Sequence, residues 1–359
     1  MEIVIFLFAV CAIVHWLDVF LKARRVVQWQ NPTNIQFPSI SLVICAHNEA
    51  KNLKDLIPLL KCQDYLHLEV ILVLDRCTDE SVQLTLNESH WMKVLSIKNI
   101  SEAIHPKKYG ITKAIDQSKG EWILLTDADC RPGPNWVSEM AKAMTSDKDV
   151  VIGISPYLRD TGLLNALIQY ETFMTALQFV SAAIVGKAYM GLGRNLAYRK
   201  SAFLHSGGFA ETASRTGGDD DLLVQRLSTP TNVGVMLSEQ SKVDSIPKAK
   251  WSSYVRQKIR HFSVSPAYTK SSKMAESRRW IVHMMFWLLF PLSLFVNWQL
   301  TLLIFVGSFL MKAISINIVS DGLEKRFNHL WLPFVDLTYV VVLPLLSLRS
   351  LLVKRITWN

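Results

Sequence analysis

The amino-acid sequence predicts an α/β domain built on a mostly parallel sheet, flanked at both ends by apolar helices long enough to cross a bilayer. Three observations carry that expectation. From Ser39 to about Lys273, short apolar runs alternate with helical periods, as strands joined by crossover helices do. One run, Glu121 to Pro134 (EWILLTDADCRPGP), delivers two carboxylates, Asp127 and Asp129, to the end of a buried strand that Pro132, Gly133 and Pro134 then stop. The hydrophobic residues, 50% of the 359, are concentrated at the two ends of the chain and raise the mean hydropathy to +0.21.

In chain order, Ile3 to Leu21 is apolar except for His15 and Asp18 and has the length of a membrane span. No basic segment precedes it and no small-residue cleavage site follows, so it reads as an anchor over residues 1–25. Lys22, Arg24 and Arg25 place the next segment in the cytoplasm by the positive-inside rule. Then come a strand at Ser41 to Cys45, a helix at Asn48 to Leu60, a strand at Leu68 to Leu74 and a helix at Thr78 to Leu86. A strand at Met92 to Ile97, a helix at Tyr109 to Gln117 and the Glu121 strand complete the series.

Each strand end carries polar chemistry: Ala46, His47, Asn48 and Glu49 at the first, Asp75 to Asp79 at the second, Asp127 and Asp129 at the last. Asn48 and Thr78 can be explained as helix caps. Three such ends in one sheet nevertheless converge on the crevice beyond its carboxyl edge, where α/β domains bind ligands. Side chains two apart on a strand point the same way, so Asp127 and Asp129 address one cation or one ligand. Carboxylate oxygens suit Mg²⁺ or Mn²⁺, with substrate phosphates sharing the coordination. No GxxxxGK[ST] or GxGxxG turn follows the first strand. Phosphate charge then falls to a divalent ion at Asp129 and to cations such as Lys113.

Leu163 to Val185 is a long apolar helical pattern, expected to pack in a core or against the membrane surface. Gly191, Gly193, Arg194 and Asn195 form a flexible turn, where glycine permits close backbone approach to a ligand. Gly217 and Gly218 precede Asp219, Asp220 and Asp221 at the start of a helix. Acidic residues there are stabilised by the helix dipole, yet three adjacent carboxylates exceed what a cap needs, and their repulsion raises at least one pKa toward that of a general base. Trp251 to His261 is helical, with Tyr254, Gln257 and His261 on one face. A lipid-facing amphipathic helix is the competing account of it.

Trp280 to Val296, Leu300 to Ile318 and Trp331 to Leu348 are the C-terminal apolar stretches, over residues 278–359. Basic clusters flank them: Arg278 with Arg279, Lys325 with Arg326, and Arg349, Lys354 and Arg355. Three full crossings would put the last cluster outside, so either the third stretch, with Pro333, Asp336 and Pro344, re-enters or the rule fails here. The net charge of +9 clusters beside these segments, where anionic headgroups account for it; nucleic acid is not an expected partner. Five cysteines without CxxC spacing indicate neither a zinc site nor a disulfide framework.

The ordered motifs SLVICAHNE, VLDRCTDES, TDADC, GRNLAYRKSAF, GGDDDLL and QKIRH resemble a membrane-associated family 2 glycosyltransferase with the GT-A fold. The resemblance covers roughly residues 39 to 265. It implies a cytoplasmic catalytic domain over 38–275, with a Rossmann-like nucleotide-sugar-binding sheet. Ala46, Asn48, Glu49 and Asp75 would hold the uridine of the donor, Lys113 would lie near the nucleotide, Asp127 near the ribose or sugar, and Asp129 would ligate the metal. Arg194 would belong to a wall beside donor sugar and acceptor. In the GGDDDLL motif, Asp220 would be the acceptor-activating base; a slip of one would make it Asp219, though the usual register of Arg226 favours Asp220. Gln257 and Arg260 of a QxxRW-like motif would bind the pyrophosphate, with His261 in place of the usual Trp. Leu74 and Arg76 replace the Asp and Gly of many relatives.

The implied function is inverting transfer of a sugar from a nucleotide sugar, expected to be UDP-linked, to a lipid-linked or polysaccharide acceptor. The implied cofactor is Mg²⁺ or Mn²⁺, and the implied location a multi-pass protein of the inner membrane. Two competing readings are a processive polysaccharide synthase, for which three apolar stretches are few, and a non-catalytic nucleotide-sugar-binding subunit, against which the full set of carboxylates argues. A transporter is disfavoured because the acidic motifs lie in the central domain.

Overall fold

Buried runs of Val, Ile and Leu such as ISLVICA and WILLTD have no exposed face to present and so form interior strands of a parallel sheet. The computed structural model describes residues 2–34, 37–86, 88–100, 104–323 and 327–353. In chain order, α1 (Glu2–Gln28) is followed by β1 (Ile40–Ala46), α2 (Ala50–Lys61), β2 (Leu68–Asp75), α3 (Ser81–Leu86), β3 (Lys93–Ile97), α4 (Pro106–Gln117) and β4 (Trp122–Asp127). Next come β5 (Cys130–Pro132), α5 (Trp136–Ala141), β6 (Val150–Ile152), α6 (Gly162–Ile184), β7 (Leu196–Arg199), α7 (Lys200–His205), α8 (Asp221–Leu227), β8 (Val233–Val235) and β9 (Val243–Ser245). The chain closes on α9 (Trp251–Phe262), α10 (Lys270–Leu294), α11 (Trp298–Leu323) and α12 (Leu332–Leu352).

Two compact units are formed, one from 30–158 and 182–247, the other from 2–29, 159–181 and 248–353, among the described residues. The first unit holds a seven-stranded sheet in the order β3-β2-β1-β4-β7-β6-β8. Strands β1 to β4 run parallel, β7 is antiparallel to β4 and β6, and β8 is parallel to β6. The mostly parallel sheet predicted from sequence is therefore present. Ile40, Leu42, Ile44 and Ala46 of β1 join Leu53, Leu56, Trp136 and Met140 of α2 and α5 in a dry core on one face, and α4 packs on β1 and β2. Register places Ala46 opposite Leu74 and Cys45 opposite Asp127, so the carboxyl ends of β2, β1 and β4 stand side by side.

One local expectation changes. Asp127 closes β4, but Asp129 sits in a two-residue turn, and Cys130–Pro132 resumes as β5 against β9. The two carboxylates thus do not share a strand face by period-two geometry. Pro132 lies within the paired residues of β5 rather than terminating the strand region, because a two-stranded edge pairing tolerates a residue without an N–H.

The second unit is helical. Glu2–Gln28, Trp298–Val319 and His329–Leu352 are long and apolar enough to cross a membrane. α10 is not among the described helices that qualify, since Lys270, Lys273, Glu276, Arg278 and Arg279 charge its first half. α6 and α9 also belong mainly to this unit, whereas the sequence grouped them with the sheet domain. Tyr254 and Lys258 of α9 both bond the carboxylate of Glu171 on α6, the first at 2.7 Å. Lys325, Arg326, Lys354 and Arg355 lie outside the described residues.

Candidate active site

The first two strand ends are latched to each other. Asn48 adopts φ +56°, a left-handed conformation that asparagine tolerates better than most residues. Its Oδ1 accepts from Thr78 N at 2.8 Å and Asp79 N at 3.3 Å. Asp75 is 1% exposed, and Arg76 grips it in a fork, Nε to Oδ1 at 2.8 Å and Nη2 to Oδ2 at 3.0 Å. His47 Nδ1 donates to the Asp75 carbonyl at 2.6 Å. Glu49 accepts from Asn52 at 2.6 Å.

A cationic bridge lies at the β4 end. Lys107, in the first turn of α4, places Nζ 3.0 Å from Asp127 Oδ1 and 2.9 Å from Asp219 Oδ2. Its neighbour Lys108, fully buried, donates to the carbonyls of Thr212 at 2.6 Å and Arg215 at 3.2 Å, holding the loop that leads to the acidic run. Burial pulls the Lys108 pKa down to about 8 against the opposing charges of Asp219 and Asp220. Gly217 and Gly218 follow that loop at φ +88° and +74°, conformations that cost glycine little, and they turn the chain into α8.

Asp220 is the N-cap of α8. Its Oδ1 accepts from Asp221 N at 2.8 Å and its Oδ2 from Gly193 N at 3.1 Å. Gly193 backs directly onto the cluster: a Cβ there would lie 3.5 Å from Asp220 Oδ2 and 3.6 Å from Lys107 Nζ. The two adjacent carboxylates differ in electrostatics. Burial works against ionisation of Asp219, but Lys107 overrides it and holds Asp219 below the usual aspartate range. Asp220 is pushed up, first by burial and then by the negative charge of Asp219. Lys107 is held well above its ordinary value because Asp127, Asp219 and Asp220 outweigh its burial.

Of the residues singled out in the sequence, Ala46, Asn48, Glu49, Asp75, Asp127, Asp129, Arg194, Asp219 and Asp220 all lie in the sheet unit. Asp127 and the Asp219–Asp220 pair are brought together through Lys107. Lys113 lies six residues further along α4, exposed, 4.0 Å from Asp116. Gln257, Arg260 and His261 lie on α9 in the helical unit. Sequence reasoning missed Lys107. Pro106 was the available signal: proline favours the first helical position, so α4 starts there and its first turn sits at the carboxyl edge of the sheet. It also missed that Asn195 of the glycine turn is structural, with its side chain bonded to Ile154 O, Ser241 O and Trp136 Nε1.

The donor set fits a divalent cation that shares its coordination with substrate. Asp129 offers a half-buried carboxylate in a turn, with Ser245 Oγ 3.4 Å away, and one or two carboxylates plus phosphate oxygens are what Mg²⁺ and Mn²⁺ take. Arg194 stacks on Tyr157 with Cζ 4.2 Å from the ring centre, and its Nη1 is buried without a hydrogen-bond partner. A buried guanidinium N–H in that condition is a donor suited to an anionic ligand.

A mostly parallel sheet whose carboxyl edge presents an acidic turn, a lysine-bridged carboxylate pair and a buried guanidinium N–H is the architecture of the GT-A fold. Over 99% of both chains the fold matches that of a mannosyltransferase from Pyrobaculum calidifontis in complex with GDP-Man and Mn²⁺, with a TM-score of 0.63 and 14% identity. Residues 41–205 match the family model of Glycosyl transferase family 2. Among curated proteins it is 31% identical over 118 residues to the glycosyltransferase GlyG of Streptococcus pneumoniae, 32% of this chain and 38% of that one. It is 23% identical over 174 residues to EpsH of Bacillus subtilis, 46% of this chain and 48% of that one. The matched segment spans less than half the length of either relative.

Proposed function

We propose that this chain is a metal-dependent, inverting glycosyltransferase that moves a sugar from a nucleotide sugar, expected to be UDP-linked, to a lipid-linked or polysaccharide acceptor. The observation that carries the reading is the split between two adjacent carboxylates: Asp219 is ion-paired to Lys107 at 2.9 Å, while Asp220 is capped by backbone N–H groups and raised in pKa. Environments that separate two neighbouring acids in this way mark the one with the raised pKa as a general base.

In the proposed reaction Asp220 accepts the proton of the acceptor hydroxyl as its oxygen bonds to the anomeric carbon. The bond from that carbon to the diphosphate oxygen breaks, and the nucleoside diphosphate leaves with the electron pair. One displacement inverts the anomeric configuration, giving a β-linkage from an α-linked donor. Asp127 orients the donor from the end of β4, and Arg194 offers its buried N–H to the diphosphate. Asp129 would hold Mg²⁺ or Mn²⁺, which when bound would neutralise charge on the departing diphosphate. Arg76, standing where the resemblance has glycine in many relatives, grips the Asp75 carboxylate, and we propose on that ground that contacts to the base differ from theirs. Ala46, Asn48 and Glu49 shape the same nucleoside side, and Gln257, Arg260 and His261 are assigned to the pyrophosphate by resemblance.

The reaction is proposed to occur at the cytoplasmic face of the inner membrane. Large apolar side chains such as Ile3, Phe6, Leu303, Leu310, Leu345 and Leu348 are exposed on α1, α11 and α12, which suits lipid contact. Lys22, Arg24 and Arg25 lie in the C-terminal part of α1, at the end of its apolar run.

The test is release of nucleoside diphosphate by detergent-purified protein, given UDP- and GDP-sugars, Mn²⁺ or Mg²⁺ and a membrane lipid extract. Asp220→Asn is expected to lower release about 10²–10⁴-fold, and Asp129→Asn to lower it severely at metal concentrations that saturate the wild type, neither unfolding the protein. Full activity in both variants would overturn the mechanism, and product length separates single transfer from polymerisation.

A further inference from the structure

Lys107 is paired with Asp219 in the reading above but is given no step of its own in the reaction. It is the one cation described as bridging the β4 end to the acidic run before α8, at 3.0 and 2.9 Å from carboxylates that are 92 residues apart in sequence. Its side chain is only 17% exposed, so the bridge is partly shielded from salt and water. Lys108 makes no such bridge, because its Nζ bonds the Thr212 and Arg215 carbonyls, although its charge adds to that of Lys107 in favouring ionised Asp219. The other groups facing the pair are Asp127 from β4, Cys45 from β1 and Tyr198 from β7. None of these supplies a positive charge.

We propose that Lys107 is a positioning residue that fixes which of the two adjacent carboxylates acts as the base, by pairing with Asp219 so that the proton-accepting site is Asp220. Two like charges on neighbouring residues otherwise share one proton, and the base is then divided between two positions. Lys107 Nζ is ion-paired to Asp219 Oδ2, and the Gly193 and Asp221 amides orient Asp220. The same ammonium ties Asp219, the residue next to this base, to Asp127, so one side chain links the donor site to the acidic run. The inference rests on the proposed glycosyl transfer for its catalytic meaning, but the pairing itself does not.

The experiment compares Lys107→Met and Lys107→Arg with the wild type in two readouts. In steady-state diphosphate release, Lys107→Met is expected to lower kcat about tenfold or more. It is also expected to move the acid limb of the pH–rate profile by about one unit, with the donor KM little changed; Lys107→Arg restores most of both. A Lys107→Met enzyme with the wild-type pH profile, or one in which only the donor KM rises, overturns the proposal and makes Lys107 a structural or donor-binding residue. The second readout is melting temperature against pH, which needs no activity. Lys107→Met is expected to lose stability relative to wild type as pH rises from 4 to 7, where Asp219 becomes an uncompensated charge. A pH-independent difference there also overturns the proposal. A wild type that releases no diphosphate from any donor removes the glycosyl-transfer reading, and the melting series still decides the pairing.

Discussion

The Lys312 ammonium of α11 and the Asp336 carboxylate of α12 form an ion pair in which neither side chain is more than 2% exposed. His283 Nε2 and Trp287 Nε1 donate to the other carboxylate oxygen at 2.8 and 2.9 Å, Tyr170 OH bonds the first, and Lys312 donates to His15 Nε2 at 3.0 Å. Ligand atoms of His15, His283 and Asp336 lie within 4.8 Å of one another, close enough for a metal ion. Lys312 already takes lone pairs of His15 and Asp336, so the ammonium stands where such an ion would sit. Five helices, α1, α6, α10, α11 and α12, are joined by this one cluster.

Removing one partner of such a pair leaves an uncompensated charge among apolar helices. Lys312→Met is therefore expected to cost about 3–5 kcal/mol, and the double change Lys312→Met with Asp336→Leu to recover much of it. Unfolding of the detergent-solubilised protein measures both. A single variant that unfolds like the wild type would show that the pair is not a determinant of the helical unit.

Asp220 and Asp219 should affect stability with opposite signs. The folded pKa of Asp220 is raised, so its favourable contribution is present below the unfolded value and lost as pH rises through the folded one. At neutral pH the ionised group therefore opposes folding, and Asp220→Asn, which keeps an N-cap oxygen, should raise the melting temperature while lowering kcat about 10²–10⁴-fold. The folded pKa of Asp219 is depressed, so its contribution is present above the unfolded value and lost as pH falls through the folded one. Asp219→Asn should lower the melting temperature at pH 7, and the two differences should converge in acid. Equal effects of the same sign would show that Lys107 does not distinguish the two groups.

The strands that carry the site were legible because their burial leaves an unbroken apolar run, and their ends because a carboxylate or asparagine interrupts it at the sheet edge. β1, β2 and β4 were read within one or two residues. The three-residue β5, β6, β8 and β9 are too short to show a period, and their pairing is set by chain segments far away, as Cys130 with Ser245 illustrates. Lys107 was hidden for a different reason. The helical pattern became visible only at Tyr109, and starting α4 there moves attention to Lys113, about 9 Å further along the axis at 1.5 Å per residue. Asp336 looked in the sequence like a flaw in an apolar stretch. Its partners lie 24, 53 and 166 residues away, at Lys312, His283 and Tyr170, and no local rule finds them.

Asn48 tests how much of the nucleoside side depends on backbone conformation. Alanine would lose the bonds to Thr78 and Asp79 and pay for a left-handed φ, together about 1–2 kcal/mol. Asn48→Asp keeps an acceptor oxygen and tolerates the conformation, so it should unfold near wild type. The loop it latches also carries Asp75, hence Asn48→Ala should raise the donor KM more than it lowers kcat. An unchanged KM would separate Asn48 from donor binding.

Asp129 is the residue on which metal dependence turns. Chelation of divalent ions should stop diphosphate release by the wild type, and Mn²⁺ or Mg²⁺ should restore it, since substrate phosphates and a single protein carboxylate complete such a site. Asp129→Asn should need far more metal for the same rate, because an amide oxygen carries no net charge, while its melting temperature stays close to wild type. Ser245→Ala removes the hydroxyl 3.4 Å from the carboxylate and should have a smaller effect in the same direction. Titrating activity against metal concentration for the three proteins orders them. If Asp129→Asn responds to metal as the wild type does, the ion is held elsewhere, and Asp127 together with the Arg194 side of the crevice becomes the place to look.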